Sequence, residues 1–120
     1  LLGERPRRTV VLILDDSDRW LDTMARLLPD LDVKTYTDPA AGVQAAKQLQ
    51  PALVLVDLQW VGQALGYQLA ARIRSLAEVK VQLVSGFGTD DGEVWGKLDT
   101  RLLDRIREAA GVERAAESAG

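Results

Sequence analysis

Neither cysteine nor histidine occurs in this sequence. The first absence excludes disulfides and thiolate metal sites, and the second excludes histidine-based triads and imidazole ligands. A chain without disulfides suits a reducing compartment, so the cytoplasm is the expected location. An excess of one charge is also lacking: 15 basic residues stand against 18 acidic ones, a balance of −3. That balance argues against nucleic acid or an anionic membrane as the main partner. Arg5, Arg7 and Arg8 form a small basic cluster that reads as part of a solvated tail. No apolar run approaches the about eighteen residues of a membrane span, and there is no signal-peptide pattern. The chain begins at Leu1, as a piece of a longer protein would.

What is present suits a single soluble domain. The chain has 120 residues, 47% of them hydrophobic and 28% charged, enough for one core but not two. The domain is expected over residues 8–110, with tails or linkers at 1–7 and 111–120. Two runs are apolar throughout and of strand length, Thr9 to Leu14 and Pro51 to Val56, and each delivers acid at its end: Asp15-Asp16 after the first, Asp57 after the second. Such runs read as central strands buried on both faces of a parallel sheet. Between them, Trp20, Leu21, Met24, Leu27 and Leu28 form one helical stripe that Ser17 or Asp18 can cap. Val33 to Thr37 reads as a short strand, and Asp38-Pro39 as N-cap and first residue of a helix to about Gln50. Further on come a helix through Ala77 carrying Leu65, Leu69 and Ile73 inward, and a strand over Val79 to Val84. A glycine-rich stretch from Ser85 to Gly92 leads to a brief strand at Val94 to Lys97. Asp99 or Thr100 is expected to cap a last helix with Leu102, Leu103 and Ile106 on one stripe.

This alternation predicts an α/β fold, a parallel sheet with helices on both faces, whose ligands sit at the carboxyl ends of the strands. Asp15, Asp16, Asp57, Ser85 and Lys97 would then converge on one crevice. A lone aspartate after a strand is often only a turn former or helix cap. Acid at two central strands, serine at the next and lysine after the last are harder to obtain from capping alone. Three carboxylates packed together either hold a proton or bind a cation. An all-oxygen site of few carboxylates suits Mg²⁺. Asp57 could then act as a nucleophile toward a phosphoryl group, with Ser85 donating a hydrogen bond and Lys97 its charge.

The set Leu-Asp-Asp after the first strand, Leu-Val-Asp after the third, Val-Ser-Gly after the fourth and Gly-Lys before the last helix resembles the receiver domain of two-component response regulators. The resemblance implies a doubly wound, flavodoxin-like sheet of five strands in the order 2-1-3-4-5. It implies that Asp57 accepts a phosphoryl group from a histidine kinase or phosphotransfer protein, with Asp15, Asp16, Asp57 and the backbone carbonyl of Gln59 around Mg²⁺. Enzymatic activity would extend at most to that self-phosphorylation and its reversal. Phosphorylation would switch the domain between conformations that an output partner, which the sequence does not name, distinguishes; a homodimer is one form open to it. A pseudo-receiver, a phosphorylation-independent interaction or dimerisation module, is the alternative. A haloacid-dehalogenase-like phosphatase is faintly echoed by Asp16-Ser17-Asp18, Ser85-Gly86 and Asp90-Asp91, but that reading leaves Asp57 unexplained, wants its first acid directly after the apolar strand, and calls for a cap region that this sequence does not show.

Four departures from the family pattern bear on the site. The loop after Asp57 lacks the usual Met-Pro and Asp-Gly pairs and brings in Trp60, read as a lid or packing residue rather than a ligand. Leu98 stands where proline usually follows the lysine. Val94 occupies the aromatic switch position, with Trp95 one place late. Only eight residues, 86–93, separate the fourth and fifth strands, too few for a crossover with a helix, so the family's fourth helix is expected to be replaced by a loop. Extended, they reach about 26 to 29 Å, enough to return along a strand and keep it parallel. An antiparallel hairpin is the alternative, and it would carry Lys97 to the far end of the sheet. Thr89-Asp90-Asp91-Gly92 reads as a turn.

Overall fold

A computed structural model of the chain describes residues 8–60 and 65–112. The expected tail at 1–7, residues 113–120 of the tail expected at 111–120, and part of the loop after Asp57 lie outside the described residues. The elements run β1 (Val10–Leu14), α1 (Asp18–Leu27), β2 (Asp32–Tyr36), α2 (Pro39–Leu49), β3 (Leu53–Asp57), α3 (Leu65–Leu76), β4 (Val81–Ser85), β5 (Val94–Gly96) and α4 (Leu102–Ala109). The sheet order is β2-β1-β3-β4-β5 with every pairing parallel. This is the doubly wound, flavodoxin-like arrangement, with a loop between β4 and β5 where a further helix would stand.

The two-residue period of a strand explains how β1 and β3 can be apolar at every position. Leu12, Leu14, Val54 and Val56 turn to one side and pack with Val43 and Ala46 of α2 and Leu69, Ala70 and Ile73 of α3. Val11, Ile13, Leu53 and Leu55 turn to the other side and meet Leu21 and Met24 of α1 and Leu102 and Ile106 of α4. Each such side chain, fully buried, stabilises the fold by about 1.5 to 3 kcal/mol relative to leaving it in water. No helix among the described residues is long and apolar enough to cross a membrane.

Local chemistry sets the element ends. Ser17 caps α1, its hydroxyl accepting from the Trp20 N–H at 3.2 Å. Asp38 caps α2 by accepting from the Ala41 N–H at 3.1 Å, with Pro39 in the first turn. Gln50 ends α2 in the left-handed region, φ 46°. The last helix departs from expectation. Its N-cap is Arg101, without a side-chain capping bond. Thr100 does not cap it, and Asp99 works one step earlier: its carboxylate accepts from the Arg101 N–H at 2.8 Å and shapes the turn that leads into the helix. At the other end Gly111, at φ +80°, lets the Val112 N–H return to the Arg107 carbonyl at 2.8 Å and its own N–H to Glu108 at 3.1 Å, a Schellman closure that places Val112 against the core.

The eight-residue connection resolves in favour of the parallel crossover. Gly96 pairs with Ser85 and Trp95 with Val84, and the Lys97 N–H continues the ladder to the Ser85 carbonyl at 2.7 Å. The hairpin is thereby excluded. The loop then folds back along the free edge of β5. The Thr89 N–H donates to the Val94 carbonyl at 2.8 Å, and the Val94 N–H donates to the Thr89 hydroxyl at 3.0 Å. Gly88 makes this approach feasible: a Cβ there would lie 2.7 Å from both the Gly96 nitrogen and the Val94 carbonyl oxygen. Thr89 also donates to Asp91, which accepts from the Glu93 N–H, and the Gly92 N–H returns to the Thr89 carbonyl at 3.2 Å. The expected turn at Thr89 to Gly92 is therefore present. Gln82 reaches across to the Gly92 and Glu93 carbonyls. A short edge strand that would expose unpaired groups is covered by its own loop.

Thr89→Val tests this role of the loop. It removes an acceptor from a part-buried N–H and is expected to cost about 1 kcal/mol in urea unfolding. Amide exchange should accelerate at Val94 more than at Leu83, and unchanged exchange at Val94 would rule the role out.

Candidate functional site

The strand order reverses between β1 and β3, and the carboxyl ends of these two strands carry the acids. Asp15 follows β1 directly and is fully buried; Asp57 is the last residue of β3 and is 6% exposed. Asp16 is exposed. Each of the three offers a carboxylate oxygen, and these oxygens lie within 4.8 Å of one another. Asp15 is fixed from both sides. One oxygen accepts from the Ser17 N–H at 2.8 Å, the other from Lys97 Nζ at 2.6 Å. Lys97, 82 residues further along the chain, arrives because β5 is parallel, and its Nζ also stands 3.3 Å from an Asp57 oxygen.

Charge is unevenly balanced here. Burial pushes the Asp57 carboxyl above the ordinary aspartate range, with the neighbouring Asp15 adding to the rise and Lys97 opposing it. Burial acts against the charge on Lys97 too, but its hydrogen bond to Asp15 and the charges of Asp15 and Asp57 outweigh that, leaving it above the ordinary lysine value. Lys97 therefore stays protonated at neutral pH. One ammonium faces three carboxyl groups, and the residual negative charge together with an all-oxygen donor set fits a hard divalent cation.

Of the residues singled out from the sequence, Asp15, Asp16, Asp57 and Lys97 are brought together. Ser85 closes β4, half-buried and one step past Val84, the register partner of Asp57. Gln59 is exposed two residues beyond Asp57. Trp60 is a packing residue: it is 6% exposed and sits among the side chains of the α2–α3 face. Among the described residues its indole N–H has no hydrogen-bond partner. Val94 and Trp95 face opposite sides of the sheet, Val94 in the α2–α3 core and Trp95 against the α1–α4 side. One residue was missed. Trp20, read from sequence only as part of a helical stripe, holds its ring face 4.4 Å from Lys97 Nζ. The available signal was position, since an aromatic in the first turn after Asp15-Asp16 stands at the rim of the crevice.

No protein-family model matches the chain, and no curated protein matches it. Solved structures do. A receiver domain (CheY-like) from Methylobacillus flagellatus superposes with a TM-score of 0.71 at 22% identity, over 86% of this chain and 98% of that one. Another from Methanospirillum hungatei gives 0.73 at 20% identity, over 94% and 99%. The response regulator domain of Thermotoga maritima CheB gives 0.66 at 22% identity, over 90% and 100%. The chain thus has the fold of response regulator receiver domains over most of its length, as the motif resemblance implied.

Proposed function

We propose that this chain is a phosphoacceptor domain of a two-component system, working in the cytoplasm. The supporting observation is the cluster of Asp15, Asp16 and Asp57 with Lys97 at the switch point of a receiver fold. Asp57 is the nucleophile: a carboxylate oxygen forms a bond to the phosphorus of a phosphohistidine on a histidine kinase or phosphotransfer protein. The P–N bond breaks, and its electron pair leaves with the imidazole. The product is an aspartyl phosphate. Asp15, Asp16, Asp57 and the Gln59 carbonyl would hold Mg²⁺, which supplies positive charge to the transferring oxygens. Lys97 adds its ammonium and Ser85 its hydroxyl on the same oxygens. Asp57 must be ionised to attack, and a divalent cation held beside it would favour that form over the protonated one that burial promotes in the metal-free site. An output partner then reads the changed charge at the strand ends.

The test is incubation with Mg²⁺ and acetyl phosphate followed by intact mass. The native chain is expected to gain one phosphoryl group, about 80 Da, and Asp57→Asn to gain none. An adduct on both would place the chemistry elsewhere. No adduct on either, with any phosphodonor, would favour the phosphorylation-independent interaction module.

A further inference from the structure

Four contacts at the site close into a ring. Asp15 accepts from the Ser17 N–H at 2.8 Å, and the Ser17 hydroxyl accepts from the Trp20 N–H at 3.2 Å. The Trp20 ring faces Lys97 Nζ at 4.4 Å, and Lys97 Nζ returns to Asp15 at 2.6 Å. Ser17 thus fixes both the carboxylate and the helix turn that presents the indole. An ammonium has three donors and no acceptor capacity. Asp15 and Asp57 take two directions, and the electron-rich indole face takes the third, where no hydrogen-bond acceptor is needed. Three attractions thus converge on the ammonium, and an aromatic face adds most where water is partly excluded. The Lys97 side chain is 20% exposed and that of Asp15 fully buried.

We infer that Trp20 is a positioning residue that holds Lys97 on Asp15 and Asp57 in the metal-free protein, and so sets how readily a divalent cation takes those carboxylates over. The inference rests on reading Asp15, Asp16 and Asp57 as a cation site. The same oxygens cannot serve a lysine at 2.6 Å and a metal ion equally well, so lysine and metal compete. Whatever holds Lys97 in place weakens metal binding. The indole does this without being a ligand to either.

Two measurements test it. In the metal-free protein, NMR of the Lys97 side chain should show its ε-methylene protons shifted upfield by the ring, a shift kept in large part by Trp20→Phe and lost in Trp20→Leu. Calorimetric Mg²⁺ titration should show Trp20→Leu binding roughly two- to thirtyfold more tightly than the native chain, the range expected of a lost cation–π contact, with Trp20→Phe in between. In a Lys97→Met background the same Trp20→Leu change should do nothing. Equal effects of Trp20→Leu with and without Lys97 would reduce the indole to a packing element and overturn the inference. So would Lys97 methylene shifts that ignore the loss of the ring. If the native chain binds no Mg²⁺, the cation-site reading itself fails, and with it the competition, while the methylene shifts still decide whether Trp20 holds Lys97.

Discussion

Replacing Lys97 with methionine is expected to cost the fold about 3 kcal/mol at neutral pH without divalent cation, and much of that loss should return when Mg²⁺ is added. The first half follows from what remains. Asp15 is fully buried and Asp57 nearly so, and their charges would lose an ammonium that touches both. Removing one partner of a buried pair costs about 3 to 5 kcal/mol because the other charge is stranded. The partial exposure of Lys97 puts this case at the lower end. The second half follows from linkage: a cation that binds only the folded state stabilises it by RT ln(1 + [Mg²⁺]/Kd), which keeps growing with its concentration.

Acid should rescue the same variant. Asp57 titrates above the ordinary aspartate value in the folded chain. Between the ordinary and the raised value the native state binds the extra proton, so stability falls as pH rises through that window. Lys97 pulls Asp57 back down, and its loss extends the window upward. Urea midpoints of Lys97→Met should therefore approach those of the native chain as pH falls. For the native chain the lysine works in the opposite range: its raised pKa contributes stability below the ordinary lysine value, lost as pH rises through the folded one. A variant as stable as the native protein at pH 7 in EDTA would show that the carboxylates do not depend on Lys97.

How much of this was legible in the sequence depends on the range of the interaction. The buried strands were, because two all-apolar runs ending in acid leave few alternatives, and Asp38-Pro39 and Pro51 marked the edges of α2 and β3. The acids of the site were legible for the same reason, since each is adjacent in sequence to the strand that carries it. Lys97 was not secure. Its position depends on the direction of β5, and eight residues permit a hairpin as well as a crossover. What settles the direction is a set of contacts that composition does not announce: Gly88 against the β5 backbone, Thr89 serving both polar groups of Val94, and Gln82 holding the loop. Trp20 was missed because its stripe was read only as core, whereas a first-turn side chain can also face the strand ends. The start of α4 was misplaced because Asp99 engages a turn rather than the helix.

Gly66→Ala should disturb both stability and site, and its damage should be centred on Asp57 rather than on the helix that carries it. Alanine is the better helix former, so on an open surface this change would stabilise α3 by about 1 kcal/mol. Here the helix lies directly on the end of β3. A Cβ at position 66 would come within 2.3 Å of the Asp57 carbonyl oxygen and 2.6 Å of Leu58 Cα and its carbonyl oxygen, distances that backbone cannot accommodate without moving. The Gly66 N–H also donates to the Leu58 carbonyl at 3.2 Å, so the two segments are held together as well as pressed together. Overpacking of this kind costs about 1 to 3 kcal/mol and occasionally more, and the absence of a flexible side chain to yield puts the expected loss at about 3 kcal/mol. The part that yields is the Asp57–Leu58 backbone, which follows a strand buried at every position. Amide shifts should therefore change most at Asp57, Leu58 and Gln59 and little at Arg74 and Ser75 on the same helix. Because the displaced backbone carries both the nucleophile and the carbonyl proposed to face Mg²⁺, phosphorylation by acetyl phosphate should fall even at temperatures where the variant is fully folded. A Gly66→Ala protein with native stability and native Asp57 shifts would mean that α3 can lift off β3, and that the close approach at Gly66 does not position the site.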